Sequence, residues 1–474
     1  MVDASYRGHI LSSMKACWVV IIILGTFGSA WGNSAWVPGP YLMLDETLIK
    51  AQAGVRREVN HPSRLAEPVV TGYEDGCFQP YVTVLRDPQT KRFRMWYGIP
   101  AKPQDPSNTH LAYIESEDGI HWLRPHRVLE TPPIQFGTSI IDEGPAFADP
   151  AKRFKFAWWK DGGLQVAYSA DGLEWHSLAP GPVLRTEHDV TAIARDPLRQ
   201  RYMALVSMYP NSRRTPNESI STDLIHWKTP WPIITADPKA GIEKGETQFY
   251  GMNGVIVRGN LLVSMVKVLR DDLNCEPGKT AKELHDAQRP FAGLGYTVLA
   301  WSHDGETWKR DTEPFLDRNP QPGTWDRAMT WGDCQLLVGD YTYIYYGGYR
   351  WGHKAERFTE RQLGFAHMPR DRYVGFSAGQ AKGSIQTRVG TLQATSLTLN
   401  AAVDPLDGEL RVRVVDARGK ACAGFDWDDG LAMKGDRVAH PLTWKATFAS
   451  LQGKEVAFEF ILKHGQLYAF DLNR

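Results

Sequence analysis

Cysteine is scarce in this chain. Five occur in 474 residues, and none stands in a Cys-x-x-Cys pair. A structural zinc site is therefore not supported, and no disulfide pairing can be assigned from spacing. An excess of charge of one sign is also missing. The formal net charge at pH 7 is zero, so no basic field points to nucleic acid or to an acidic membrane surface. Helical patterning is nearly absent; only Lys279 to Gln288 reads as a helix, inside an insertion. Long apolar runs are missing too, except Ala16 to Gly28. That run is too short for a membrane span. Arg7 and Lys15 precede it, and the small residues Gly28, Ser29, Ala30 and Gly32 close and follow it. This is the layout of an export signal over residues 1–32, with a secreted or periplasmic product and no integral membrane association after cleavage. Cys17 stands at the front of the apolar core and not after it, which argues against a lipid anchor.

What the chain has is repetition. Four segments read Ser-x-Asp-(Gly/Leu)-x-x-Trp: Ser116 to Trp122, Ser169 to Trp175, Ser221 to Trp227 and Ser302 to Trp308. Each follows an apolar, strand-like run. Asp sets a tight turn by accepting from its own downstream backbone. Gly takes the positive φ such a turn needs. Trp opens the next strand with a large packing surface. A second repeat lies inside the first: Arg86-Asp87-Pro88, Ala148-Asp149-Pro150 and Arg195-Asp196-Pro197, each followed by a basic residue and an aromatic. One unit is therefore strand, Asp-Pro turn, strand, strand, Ser-x-Asp turn, strand.

Such a unit is a four-stranded antiparallel blade, and its recurrence predicts an all-β chain with a five-bladed β-propeller. The expected ring spans residues 36–378, with Trp36 to Ala53 adding a strand that closes it. After about Gly379 the pattern changes to short period-two strands with Asp-Gly, Gly-Lys and Gly-Asp turns. Residues 383–474 are read as a separate β-sandwich. Aromatics are abundant, with 17 Trp and 18 Tyr; most are expected to pack blades, and the rest to stack on sugar rings.

This arrangement resembles the secreted bacterial proteins grouped with glycoside hydrolase families 32 and 43. The resemblance rests on the Ser-x-Asp repeats, on Tyr41 to Glu46, and on Gly323-Thr324-Trp325-Asp326. It rests also on Ile344 to Gly348, and on Gly424-Phe425-Asp426 with His440-Pro441 to Trp444. It implies a five-bladed propeller, with a sandwich in the family 32 manner, and hydrolysis of glycosidic bonds in a poly- or oligosaccharide. The chain departs from family 32 in having no Asn-Asp-Pro-Asn and no Glu-Cys segment. Arg86-Asp87-Pro88 and Arg195-Asp196-Pro197 match that family's Arg-Asp-Pro, but they occupy the repeated turn. A structural role is expected for them.

Candidate site residues are those at the entrance of each innermost strand. Glycoside cleavage needs two carboxylates flanking the bond, and crowding raises the pKa of one of them. The family order along the first three blades implies Asp75 as base or nucleophile, Asp142 as pKa modulator, and Glu187 or Asp189 as general acid. Glu74, Glu143, His188, Glu246, Tyr250, Asp326, Arg327 and Trp331 are read as substrate contacts. Arg350 and His353 are read as a rim that grips an acidic or sulfated sugar. Arg270-Asp271-Asp272 and Glu360-Arg361 lie in loops read as a lid and a rim. No metal or cofactor is expected. Two other readings remain open. One is a non-catalytic glycan-binding propeller. The other is a sialidase-like enzyme, although the Asp repeat here is one residue shorter than theirs and no arginine triad can be placed from sequence.

Overall fold

A computed structural model describes residues 35–210, 213–236 and 248–474, all within one compact unit. The expected export signal and Glu246 lie outside the described residues.

The chain is all-β. Five antiparallel groups follow in order. The first holds Gln79–Arg86, Phe93–Pro100, Thr109–Ser116 and Arg127–Ile134; the second holds Phe136–Asp142, Phe154–Lys160, Gly163–Ser169 and His176–Ser177. The third holds Thr191–Asp196, Arg201–Met208, Thr215–Ser221 and Trp231–Pro232. The fourth holds Gln248–Arg258, Leu261–Arg270, Leu294–Ser302 and Lys309–Arg310; the fifth holds Met329–Val338, Tyr341–Tyr349 and Arg361–Pro369. The fourth and fifth touch through a single parallel pair, Gly295 with Met329. The first strands of the five groups contact one another in cyclic order. They line one axial channel of about 380 Å³, reached by Val84, Ile140, Ile193, Asn253 and Gln335. Second strands such as Leu261–Arg270 are buried on both faces, because a neighbouring group covers each side.

The repeated turns form as their chemistry requires. Asp118 Oδ1 accepts from the backbone N–H groups of Ile120 and His121, both at 2.8 Å, and Asp171, Asp223 and Asp304 do the same for theirs. The glycine also stitches neighbours together. Gly119 (φ +80°) accepts from Tyr345 Oη of the fifth group at 2.7 Å, and Gly172 accepts from Trp96 Nε1 of the first group at 2.8 Å. In the third copy Leu224 takes φ +68° and fills the core itself. Trp122, Trp175 and Trp308 are buried; Trp227, beside Leu224, is only partly so.

The Asp-Pro turns are structural at two of three places. Asp87 caps Gln89 and Thr90, and the buried Asp196 caps Leu198 and Arg199 while pairing with Arg201. Asp149 makes no such cap; it opens a short 3₁₀ turn and pairs with Lys152 at 3.3 Å.

Three expectations are corrected. The segment Trp36 to Ala53 does not close the ring. Ser63–Arg64 does, pairing with Ala366 and His367. The strands Ala35–Trp36, Gly39–Leu42, Ile49–Ala53 and Arg56–Val59 instead join strands from Val374–Ala378 onward in two six-stranded sheets. Trp36 and Phe458 of one sheet meet Phe470 of the other. The boundary expected between residues 378 and 383 therefore does not follow the hydrogen bonding. The insertion carries one 3₁₀ turn, Lys282–Leu284, in place of the expected helix. No disulfide joins the described cysteines.

Candidate functional site at one mouth of the ring

One end of the ring carries the connections between second and third strands in the third, fourth and fifth groups. They surround a half-enclosed cavity of about 370 Å³. Its wall from the third group is His188, Asp189 and Arg214. The fourth group supplies Gln248, Tyr250, Asp271 and Arg289, and the fifth supplies His353, Lys354, Arg357 and Arg361.

Tyr250 is aimed inward by a β-bulge. Phe249 pairs with Val268 and Gly251 with Lys267, so Tyr250 is the extra residue. Its ring stacks on the buried Trp331 at 4.4 Å and meets His353 edge-on at 4.7 Å. The Arg214 guanidinium lies 3.9 Å from the centre of the Tyr250 ring. Trp331 is fixed from below by its Nε1 donating to the Val268 carbonyl at 2.8 Å.

Asp189 is the carboxylate at the centre of this wall. His188 Nδ1 bonds it directly, Arg214 Nη1 lies 3.5 Å away, and Arg214 also reaches His188 Nε2. Burial pushes the Asp189 carboxyl up, but the His188 hydrogen bond and the Arg214 charge outweigh it and hold it below the usual carboxylate range. Asp271 accepts from Gln248 Nε2 at 2.6 Å and from Arg289 Nη1 at 3.0 Å. His353 is pinned by backbone bonds to Ala292 and from Arg361. Burial, then the charges of Arg361, Arg289 and Arg214, hold its imidazole well below the ordinary histidine pKa, so it is neutral.

The structure brings together only part of the sequence-predicted set. His188, Asp189, Tyr250 and His353 share the cavity, with Trp331 beneath. Glu187 is exposed nearby and accepts from the Tyr209 backbone N–H at 2.5 Å. The other candidates go elsewhere. Asp75 is buried, and both its oxygens are taken by Arg124 at 2.8 and 3.1 Å, with the Thr71 N–H at 2.9 Å. Glu74 is exposed on the same turn. Asp142 forms a bidentate pair with Arg153, both bonds 2.6 Å. It ends its strand, opposite Phe154, so it sits a strand's length from the entrance. Glu143 lies next to it, bonded to Tyr202 and 3.5 Å from Arg195. Asp326 pairs with Arg64 of the ring-closing strand at 3.2 Å, and Arg327 pairs with Glu276 at 3.0 Å. Arg350 lies over Trp351. Arg214, Arg289, Lys354 and Arg357 were not foreseen. Arg289, Lys354 and Arg357 lie in the two longest of the connections between second and third strands, whereas Arg214 ends a shorter one and carries no such signal.

No protein-family model matches the chain, and no curated protein is similar to it. Solved structures that resemble it at low identity are glycoside hydrolases and other carbohydrate-active enzymes. A β-1,2-mannobiose phosphorylase from Listeria innocua shares 12% identity with a TM-score of 0.42, over 65% of this chain and 96% of that one. An endo-1,4-β-xylanase from Bacteroides thetaiotaomicron shares 12% identity with a TM-score of 0.42, over 62% and 91%. An exo-β-1,3-galactanase from Phanerochaete chrysosporium shares 10% identity with a TM-score of 0.41, over 86% and 100%.

Proposed function

We propose that this chain is an exported carbohydrate-active protein, a five-bladed propeller carrying a β-sandwich, and that its glycan enters the Asp189 mouth and is hydrolysed there. The observation that carries this reading is the cavity itself: two carboxylates and a stacked aromatic pair in one half-enclosed site. Tyr250, held between Trp331 and Arg214, presents its ring edge to a sugar. Asp189 and Asp271 replace Asp75 and Asp142 as the carboxylate pair that glycoside cleavage needs. Asp189 is held ionised, which suits a base or nucleophile and not the acid role implied by family order. A binding role without turnover is the second reading. It is favoured by one observation: both carboxylates are already engaged, Asp189 by His188 and the Arg214 charge, Asp271 by Gln248 and Arg289.

Release of reducing ends from a broad glycan panel tests this. Asp189→Asn should lower kcat by about 100-fold or more, the scale of a lost general base, in protein that circular dichroism shows to be folded. Asp75→Asn should lose stability instead, since Arg124 would lose its carboxylate partner. Full turnover by Asp189→Asn would remove it from the chemistry. Glycan binding by calorimetry with no turnover by wild type would select the second reading.

Export is tested by N-terminal sequencing of the protein from a host with a secretion pathway. The expected product begins near residue 33; a product that keeps Met1 would end this part of the proposal.

A further inference from the structure

The mouth is unbalanced in charge. Five of the side chains that line it are cationic and two are carboxylates. Both carboxylates are already matched, Asp189 by Arg214 and Asp271 by Arg289. Among the described residues no ion pair joins Lys354 or Arg357 to a carboxylate; Arg357 instead lies over the Phe78 ring at 5.3 Å. Among the described residues, the buried Nε atoms of Arg214 and Arg357 and the buried Nδ1 of His353 have no hydrogen-bond partner. His353 and Arg214 are each only 5% exposed. Burial of cationic groups without a counter-charge is costly. It is sustained where an anion completes the site, and guanidinium groups suit planar or tetrahedral oxyanions because they bind them by two parallel bonds. Burial, then the neighbouring positive charges, also lower the pKa values of Lys354 and Arg357.

Resting on the reading of this mouth as a glycan site, we propose that the sugar it takes is negatively charged. Its uronate carboxylate or sulfate ester is seated against Arg214, Arg357 and His353, with the sugar beside the edge of Tyr250. Neutral His353 has a ring nitrogen to offer such an anion without adding charge. The excess of cations also draws anionic chains toward this end of the ring.

Calorimetry on the full protein in low salt tests this with four probes: glucuronic acid, glucose 6-sulfate, glucose, and inorganic sulfate. At least one charged sugar should bind about tenfold or more tighter than glucose, the scale of one charge-assisted hydrogen bond. Lys354→Gln, an exposed change that spares the core, and Arg357→Gln should each reduce that preference severalfold, and added salt should do the same. Equal binding of glucose and both charged sugars would overturn the charge inference and leave the glycan reading intact. Sulfate binding as tightly as the charged sugars, with no added affinity from the ring, would overturn the glycan reading and this inference with it.

Discussion

Asp333→Ala should cost this protein about 3–5 kcal/mol of stability, the range for breaking a buried ion pair by removing one partner. Asp333 and Lys267 are each 2% exposed at the side chain and bond directly to one another. Asp333 also accepts from the Val82 N–H at 2.6 Å, which ties the fifth group to the neighbouring first group. The pair exists because of a bulge: Gly332 pairs with Tyr346 and Cys334 with Tyr345, so Asp333 is the extra residue turned toward the axial channel. The alanine variant leaves a buried ammonium group with no counter-charge. Removing both charges, as in Lys267→Met with Asp333→Leu, should recover most of the loss. Denaturant titration of the three proteins measures this. A single variant within about 1 kcal/mol of wild type would show that water or another carboxylate neutralises Lys267.

Glu218 should make stability fall as pH rises. It is fully buried on the third strand of the third group, and its Oε2 accepts from Trp308 Nε1 at 2.7 Å. Burial drives its pKa up to about 8; the Trp308 bond and Arg201 oppose this, while Glu306 and Asp304 add to it. The folded value thus lies above the unfolded one, near 4.5. The folded protein holds a proton that the unfolded chain has released, so stability drops between about pH 4.5 and pH 8. Glu218→Gln carries no such proton. It should match wild type near pH 4 and exceed it above pH 8 by on the order of a few kcal/mol. Melting temperatures of both proteins from pH 4 to pH 9 give the comparison. Parallel curves across that range would mean that Glu218 is ionised throughout.

Much of the ring was legible because its signals are local. An Asp that caps two N–H groups, a Gly in a left-handed turn and a Trp three residues on are decided within seven residues, so each copy could be recognised alone. The site was less legible because its placement depends on register. Asp142 looks like Asp75 and Asp189 in sequence, yet it ends its strand while they precede theirs. One strand's length moved it to the opposite mouth. Tyr250 was identified, although the bulge that turns it inward has no mark in the sequence. The arginines were missed for a different reason. Arg214, Arg289 and Arg357 come from three loops that are distant in sequence, and each alone reads as a solvated surface charge.

The two ends of the described chain are woven into the same pair of sheets. Ile49–Ala53 lies beside Gly383–Thr387, and Gly39–Leu42 beside Gly465–Asn473. A nascent chain therefore makes its earliest strands long before their partners exist. While the five groups form one after another, residues 35–59 present unpaired strand edges, a state open to mispairing. One sheet is complete only when Glu455–Lys463 has emerged and the other only with Gly465–Asn473, so the order of synthesis leaves the oldest strands waiting for the youngest.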